Sequence, residues 1–282
     1  MSAQILNGKE ISKNIRLNLL DKINKINSRH NIKLTLASII AGDDPASYAY
    51  IKNNERVCRE TGINPVLYKL PYDTTQDELI NLINELNNRS DIHGILIQVP
   101  LPKHIDENAV ADSISEFKDV DCFNPKNSGK LFRGEKCIYP CTPKGIIRLI
   151  KETGIDIKGK KAAVVGRSNI VGKPAAMMLL NNNATVTICH SKTANLKEIL
   201  LNCDIVVSAT GKPGLISGDM IKEGAVVIDA GTTVVNGKLK GDVDFDSAAQ
   251  KASYITPVPG GVGSMTTTML IENILEASGY DD

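Results

Sequence analysis

No tryptophan occurs in the 282 residues, and Phe with Tyr brings the aromatic share to only 4%. Few rings are left for stacking on bases, and 33 Lys+Arg against 32 Asp+Glu leave no basic excess. Both absences argue against a nucleic-acid binder, and the balanced charge also argues against an anionic-membrane binder. The six cysteines (Cys58, Cys122, Cys137, Cys141, Cys189, Cys203) include no C-x-x-C pair, and the four histidines form no H-x₃-H or H-E-x-x-H cluster. No metal site is expected. Cys137 and Cys141 read as small buried hydrophobes, and the scattered thiols as those of a reduced cytoplasm. No apolar run approaches the ~18 residues of a membrane span, and the first ten residues lack a signal peptide's basic and apolar regions. The expectation is a cytoplasmic protein, neither exported nor inserted.

What is present is enough chain for roughly two domains at about 150 residues each. Ile11, Ile15, Leu19, Ile23 and Ile26 recur at helical spacing ahead of a strand at Leu34–Ala41. Asp44-Pro45 caps and opens a second helix. A strand at Pro65–Leu70 leads to Thr75-Gln-Asp-Glu78, a capping box before Leu79, Leu82, Ile83 and Leu86. Gly94–Val99 reads as a buried strand ended by Pro100-Leu-Pro102, with a short helix near Asp106. From about Glu116 to Pro140 the pattern lapses into a long irregular stretch, the kind that carries function or links domains. A helix then runs from Thr142-Pro143 to a stop at Gly154.

Strands at Lys161–Val165, Ala184–Cys189 and Ile205–Ser208, separated by helices at Gly172–Asn181 and Asn195–Asn202, make a βαβαβ unit. Apolar strands at Ala225–Ile228 and Tyr254–Ile255 and a helix near Met265–Ala277 follow. The fold class is α/β in two domains, the second Rossmann-like with a parallel sheet. The turn Gly166-Arg167-Ser168-Asn169-Ile170-Val171-Gly172-Lys173-Pro174 joins strand to helix, so a dinucleotide's pyrophosphate would sit at that helix N-terminus. The spacing is not G-x-G-x-x-G, and a tight turn needing glycine for its backbone alone remains an alternative. The second strand ends in His190-Ser191-Lys192-Thr193 without the acid that accepts from a ribose 2′-OH. Ser191 and Arg167 instead suit a 2′-phosphate, which points to NADP as the cofactor. Asp229-Ala-Gly-Thr232 follows a later strand, where ligands of such sheets gather.

Ile92-His-Gly-Ile-Leu-Ile-Gln-Val-Pro-Leu-Pro102, Lys118-Asp-Val-Asp121, Pro140-Cys-Thr-Pro143, the turn at 166–174 and Pro257-Val-Pro-Gly-Gly-Val-Gly263 recur in one order. Through them nearly the whole chain resembles the bifunctional methylenetetrahydrofolate dehydrogenase/methenyltetrahydrofolate cyclohydrolase family. The resemblance implies oxidation of 5,10-methylenetetrahydrofolate by NADP⁺ in one-carbon metabolism and purine biosynthesis, then hydrolysis of the methenyl cation to 10-formyltetrahydrofolate. It implies tetrahydrofolate derivatives as ligands, bound in a cleft between the domains, and a homodimer. It divides the chain into a folate domain over 1–140, completed by the helix at 264–282, and an NADP-binding domain over 141–263. Catalytic positions fall on Tyr50, Asn54, Gln98 and Asp121. Tyr50, Gln98, Asp121, Pro259, Gly260 and Gly261 would bind folate, and Gly166, Arg167, Ser168, Ser191 and Thr232 the cofactor. Asp121 can take the pterin's two parallel donors bidentately. Asp119, two residues away, reads as a solvated loop acid, and the 259–261 turn as a close approach of backbone to folate.

One departure bears on mechanism. The family pattern is Ser-x-x-Tyr-x-x-x-Lys, but this chain reads Ser47-Tyr-Ala-Tyr50-Ile-Lys-Asn-Asn54, with an amide in place of the lysine. Lys52 lies about 200° around the helix from Asn54, although a shifted pair of Tyr48 and Lys52 would share the i,i+4 spacing. The expectation is a dehydrogenase with weak or absent cyclohydrolase activity. The alternatives are a full bifunctional enzyme that uses Lys52, a shikimate- or amino-acid-type NADP oxidoreductase, and a non-catalytic folate-binding protein.

Overall fold

The computed structural model describes residues 2–280 and, of Ala46, the backbone alone. The elements begin with β1 (Gln4–Ile5), α1 (Gly8–His30), β2 (Thr35–Ala41), α2 (Pro45–Glu60), β3 (Asn64–Leu70), α3 (Gln76–Asn88) and β4 (Gly94–Ile97). Next come α4 (Glu107–Ser113), α5 (Pro125–Arg133), α6 (Cys141–Glu152), β5 (Lys161–Val165), α7 (Gly172–Asn181) and β6 (Thr185–Cys189). The remainder is α8 (Leu196–Leu200), β7 (Ile205–Ser208), β8 (Val226–Asp229), β9 (Thr233–Val235), β10 (Lys238–Lys240), α9 (Phe245–Ala248), β11 (Tyr254–Ile255) and α10 (Val262–Ser278). They form two units. One comprises Asn14–Cys141 and the segment from Thr267 onward; the other comprises the segment up to Lys13 and Thr142–Thr266. The division differs from the expected one chiefly in the first thirteen residues. Gln4 and Ile5 pair with Tyr254 and Ile255 and so join the second unit's sheet, a two-residue strand too short to show in a hydrophobic pattern.

In the first unit, β3, β2 and β4 form a parallel sheet with β2 in the middle and buried along its length. Asp44 caps α2 by accepting from the Ser47 N–H at 2.8 Å, with Pro45 in the first turn. The Thr75–Glu78 capping box forms as the sequence predicts, and Leu79, Ile83 and Leu86 enter a core with Ile39 and Ile95. The stretch from 116 to 140 is more ordered than expected, because it contains α5. Asn124 caps this helix, Pro125 opens it, and Gly134 ends it in the left-handed region. That cap, proline and glycine pattern is a helix signal the missing apolar periodicity obscures.

In the second unit, six parallel strands run in the order β1-β11-β8-β7-β5-β6. Val206, Val227 and Ile255 lie in its core. The β9–β10 hairpin turns at Asn236-Gly237, both with positive φ, the pair that a two-residue turn favours. All six cysteines are free thiols. Among the described residues no helix is long and apolar enough to cross a membrane, and no cluster of His, Cys, Asp or Glu could hold a metal ion.

Candidate active site

In the first unit, Tyr50 and Asn54 lie one turn apart on α2. Asn54 is buried (1% exposed), whereas Lys52 is exposed. The buried face of this turn thus carries Asn54 and not Lys52, the arrangement the unshifted reading of the motif expects. Tyr48 packs elsewhere, its ring beneath the Lys69 ammonium at 5.2 Å. The Asn54 Oδ1 accepts from the Thr267 hydroxyl on α10 at 3.0 Å, while its buried Nδ2 makes no hydrogen bond. Burial, reinforced by the nearby Asp121 charge, pushes the Tyr50 phenol far above its ordinary range; an interaction with the Asn54 side chain opposes the shift. The phenol stays protonated at any physiological pH.

Gln98 follows β4. Its backbone N–H donates to Ile39 O, and its side chain donates to Val99 O at 3.0 Å, leaving the half-buried amide oxygen toward other partners. Asp119 bridges to Ile95 of β4, which brings Asp121 level with the end of that strand. Asp121 accepts from the Cys141 N–H at 2.9 Å, and burial pushes its carboxyl up to about 6. The expected contrast between the two acids takes a different form. Asp119 is no solvated loop acid; it is buried and accepts from the Phe123 and Asn124 N–H groups and from Asn127 Nδ2, each at 2.9 Å. A turn of consecutive backbone donors needs such an acceptor, so Asp119 is consumed by the fold while Asp121 keeps oxygen lone pairs available. Asn273 on α10, which motif reading passes over, fixes the same loops by donating to Val120 O and Tyr139 O at 2.8 and 2.7 Å.

In the second unit, the turn after β5 is closed by backbone contact. Gly166 has φ +130°, and a Cβ there would lie 2.3 Å from Ala209 O; a Cβ on Gly172 would lie 2.3 Å from Gly166 O. Glycine is thus required for packing, as the structural alternative held, and the same packing presents the start of α7. The Ser168 hydroxyl accepts from the Val171 and Gly172 N–H groups at 3.2 and 3.3 Å. It takes up donors expected to be free for a pyrophosphate, yet its own proton remains to donate to an anion. Val165 pairs with Cys189, so Arg167 and Ser191 leave adjacent strands at the same level. Both are exposed, and Arg167 makes no ion pair with any described residue. A hydroxyl, an unpaired guanidinium and the lack of a carboxylate at residues 190–193 form a donor set that fits a phosphorylated ribose.

Thr232 is exposed beyond β8. The turn before it is held by Asp229, which accepts from the Gly231, Asp242 and Val243 N–H groups at 2.9, 3.1 and 2.9 Å. Burial pushes the Asp229 carboxyl up to about 6, and the adjacent Asp242 adds to the shift. Asp242, which the sequence reading missed, accepts from Ser208 Oγ at 2.9 Å and from the Thr210 N–H at 2.6 Å. An acid flanked by glycine and valine just before a helix is the only trace of it in the sequence. The turn at Pro259, Gly260 and Gly261 serves the fold as well as any ligand: Gly8 packs so closely that its Cβ would lie 2.2 Å from Gly261 O. Gly260 is less crowded: a Cβ there would touch the Lys9 and Pro257 side chains at 3.7 and 3.8 Å, and its φ of +108° is what calls for glycine.

Comparison with known proteins accounts for both units. Residues 6–121 match the catalytic domain of the tetrahydrofolate dehydrogenase/cyclohydrolase family, and residues 140–281 match its NAD(P)-binding domain. The chain is 55% identical to the bifunctional protein FolD of Moorella thermoacetica over 279 residues, covering 99% of each. It superposes on the crystal structure of the bifunctional enzyme FolD from Campylobacter jejuni with a TM-score of 0.96 at 45% identity, covering 99% of each chain. The Trypanosoma brucei FolD, solved in complex with NADP cofactor and inhibitor, gives 0.94 at 38% identity and covers 99% of this chain and 98% of that one. With both halves matched in order over almost their full length, the chain belongs to the tetrahydrofolate dehydrogenase/cyclohydrolase family.

Proposed function

We propose that the protein is an NADP-dependent 5,10-methylenetetrahydrofolate dehydrogenase in which the cyclohydrolase step is weak or absent. Asp121 accepts from the pterin's 2-amino and N3–H edge, Gln98 supplies its amide, and Tyr50 offers its phenol from α2. The Pro259–Gly261 turn is assigned to the folate through its backbone, as the family resemblance implies. Arg167 and Ser191 would hold the 2′-phosphate of NADP, Ser168 would donate to the pyrophosphate, and Thr232 would contact the nicotinamide end. When bound, the dinucleotide supplies the acceptor for a hydride leaving the carbon between N5 and N10. Because the nitrogen lone pairs stabilise the developing cation, the chain's own residues need only bind and orient the folate.

Hydrolysis of the methenyl cation asks for more. Water must be activated and a tetrahedral adduct opened by proton movement, which calls for a group that titrates near neutrality. The observation that carries the reading is the buried Asn54 beside Tyr50, with Lys52 exposed on α2. An amide does not titrate, and a phenol raised by burial is no base. The same features speak against the alternative that Lys52 acts in place of the usual lysine. We also infer a homodimer in the cytoplasm, which the family resemblance and the six free thiols support.

The test supplies methylenetetrahydrofolate and NADP⁺ and follows both products. NADPH should form while the methenyl chromophore accumulates, and methenyltetrahydrofolate given alone should decay little faster than without protein. Asn54→Lys should raise hydrolysis more than oxidation. Hydrolysis by the unaltered protein at the rate of hydride transfer would refute the reading; tight folate binding without NADP⁺ turnover would favour a non-catalytic binding protein.

A further inference from the structure

Asn54 carries a buried N–H group that no hydrogen bond uses, although its amide is held firmly by the other end. A side-chain amide can present either its oxygen or its nitrogen, and the network around it decides which. Here the decision begins at the surface. The Arg56 guanidinium has only donors; its Nη2 donates to Asn53 Oδ1 at 2.9 Å, and its other arm pairs with Glu60. The Asn53 amide must therefore turn its Nδ2 inward, where it donates to Thr267 Oγ1 at 3.0 Å. Thr267 has a single hydroxyl proton. With Asn53 donating to its oxygen, that proton goes to Asn54 Oδ1 at 3.0 Å. Every link points the same way, so the Asn54 NH₂ is left facing away from α10. One turn earlier on the same face of α2 stands the Tyr50 phenol, four residues before Asn54.

We propose that Arg56, Asn53 and Thr267 form a one-way chain of donors that fixes Asn54 Nδ2–H toward the Tyr50 oxygen when folate is bound. The phenolic proton is thereby turned onto the folate. Thr267 and Asn53 are positioning residues that act through Asn54 and Tyr50 and touch no ligand themselves. The unused buried N–H is what such a device leaves before the ligand arrives, since an unsatisfied buried donor persists only at a cost. The proposal rests on the reading of this site as the one at which methylenetetrahydrofolate is oxidised. It adds that the amide at position 54 is an oriented donor as well as the loss of a base.

Three substitutions separate direction from packing. Thr267→Val keeps the side-chain shape and removes the hydroxyl; Thr267→Ser keeps the hydroxyl. Asn53→Asp, at an exposed position, replaces the inward NH₂ by an acceptor, drawing the Thr267 proton to itself and releasing Asn54 to flip. Thr267→Val and Asn53→Asp should each lower kcat for NADP⁺ reduction about five- to tenfold, with KM for NADP⁺ unchanged and Thr267→Ser near the parent value. In ¹⁵N spectra the Asn54 side-chain pair, assigned by its loss in Asn54→Asp, should shift when a non-reacting reduced folate is added to the parent and to Thr267→Ser. It should not shift in the other two variants. Equal kcat and equal shifts in all four proteins would overturn the donor chain, as would a fall in Thr267→Val and Thr267→Ser alike with Asn53→Asp unaffected. If the parent instead hydrolyses methenyltetrahydrofolate rapidly, the functional reading fails while the amide shifts still report the orientation of Asn54.

Discussion

The two candidate regions are built from opposite materials. In the first unit the candidate groups are half or fully buried side chains: Asn54, Tyr50, Gln98 and Asp121. Burial raises both the Tyr50 phenol and the Asp121 carboxyl. In the second unit Arg167, Ser168, Ser191 and Thr232 are exposed, and the shape comes from backbone packed through Gly166 and Gly172 and from turns tied to Asp229 and Asp242. Desolvation is what tunes protonation, whereas solvated groups keep their charges and read phosphate by position. The first region should therefore respond to single polar atoms and to pH. The second should respond to backbone geometry and to salt.

The largest effect should come from the backbone side. Gly166→Ala places a Cβ against Ala209 O in a conformation that L side chains rarely adopt, a strain of about 3 kcal/mol or more. Urea unfolding should show that loss, and binding of NADP⁺ should be abolished in whatever protein folds. The acids of the first unit come next. Asp121→Ala should raise KM for folate roughly 30- to 100-fold, the loss of about 2 to 3 kcal/mol of charged hydrogen bonding, with KM for NADP⁺ unchanged. Asp119→Ala should invert that pattern, lowering stability by a similar amount through its three lost partners while catalysis in the folded fraction survives. Smaller still is Arg167→Ala, which should raise KM for NADP⁺ about tenfold, leave NAD⁺ unaffected and flatten the salt dependence of NADP⁺ binding. An equal effect on both dinucleotides would remove Arg167 from the 2′-phosphate.

These contrasts also mark what was legible in the sequence. Periodicity and caps located α2, α3 and the parallel strands, because burial of one face and satisfaction of helix ends are local demands that leave local patterns. The α5 helix was hidden because its apolar content is thin, although its Asn124-Pro125 start and Gly134 stop were on view. The position of Asn54 could be counted along one helix, but its partner Thr267 lies 213 residues away and no spacing rule connects them. Asp119 and Asp121 are indistinguishable as letters. Which acid the fold consumes depends on how many backbone donors converge on each, a property of the folded loop alone. On the cofactor side, the glycines were visible, but whether they made room for a ligand or for neighbouring backbone required the carbonyls of Ala209 and Gly166.

The finest test of the comparison is pH, because near neutrality ligand binding should respond in the buried region alone. Asp121 has its carboxyl raised by burial from an ordinary value near 3.8 to about 6. Accepting from the pterin's two donors requires the carboxylate, so folate binding should weaken as pH falls through about 6, by up to about tenfold in KM per unit. Stability must move the other way. A carboxyl whose folded value lies above its unfolded one binds its proton more tightly in the folded chain; its contribution is full below about 4 and is lost as pH rises through about 6. Asp229, raised likewise to about 6, adds a loss of the same sign without touching folate. Thermal melting of the ligand-free protein between pH 5 and 7.5, compared with Asp121→Asn, isolates the first acid: the variant should gain on the parent as pH rises and lose the pH dependence of folate binding. A folate KM that stays flat from pH 5 to 7 would mean that Asp121 is ionised throughout. The buried region would then read its ligand as the exposed one does, by fixed charge.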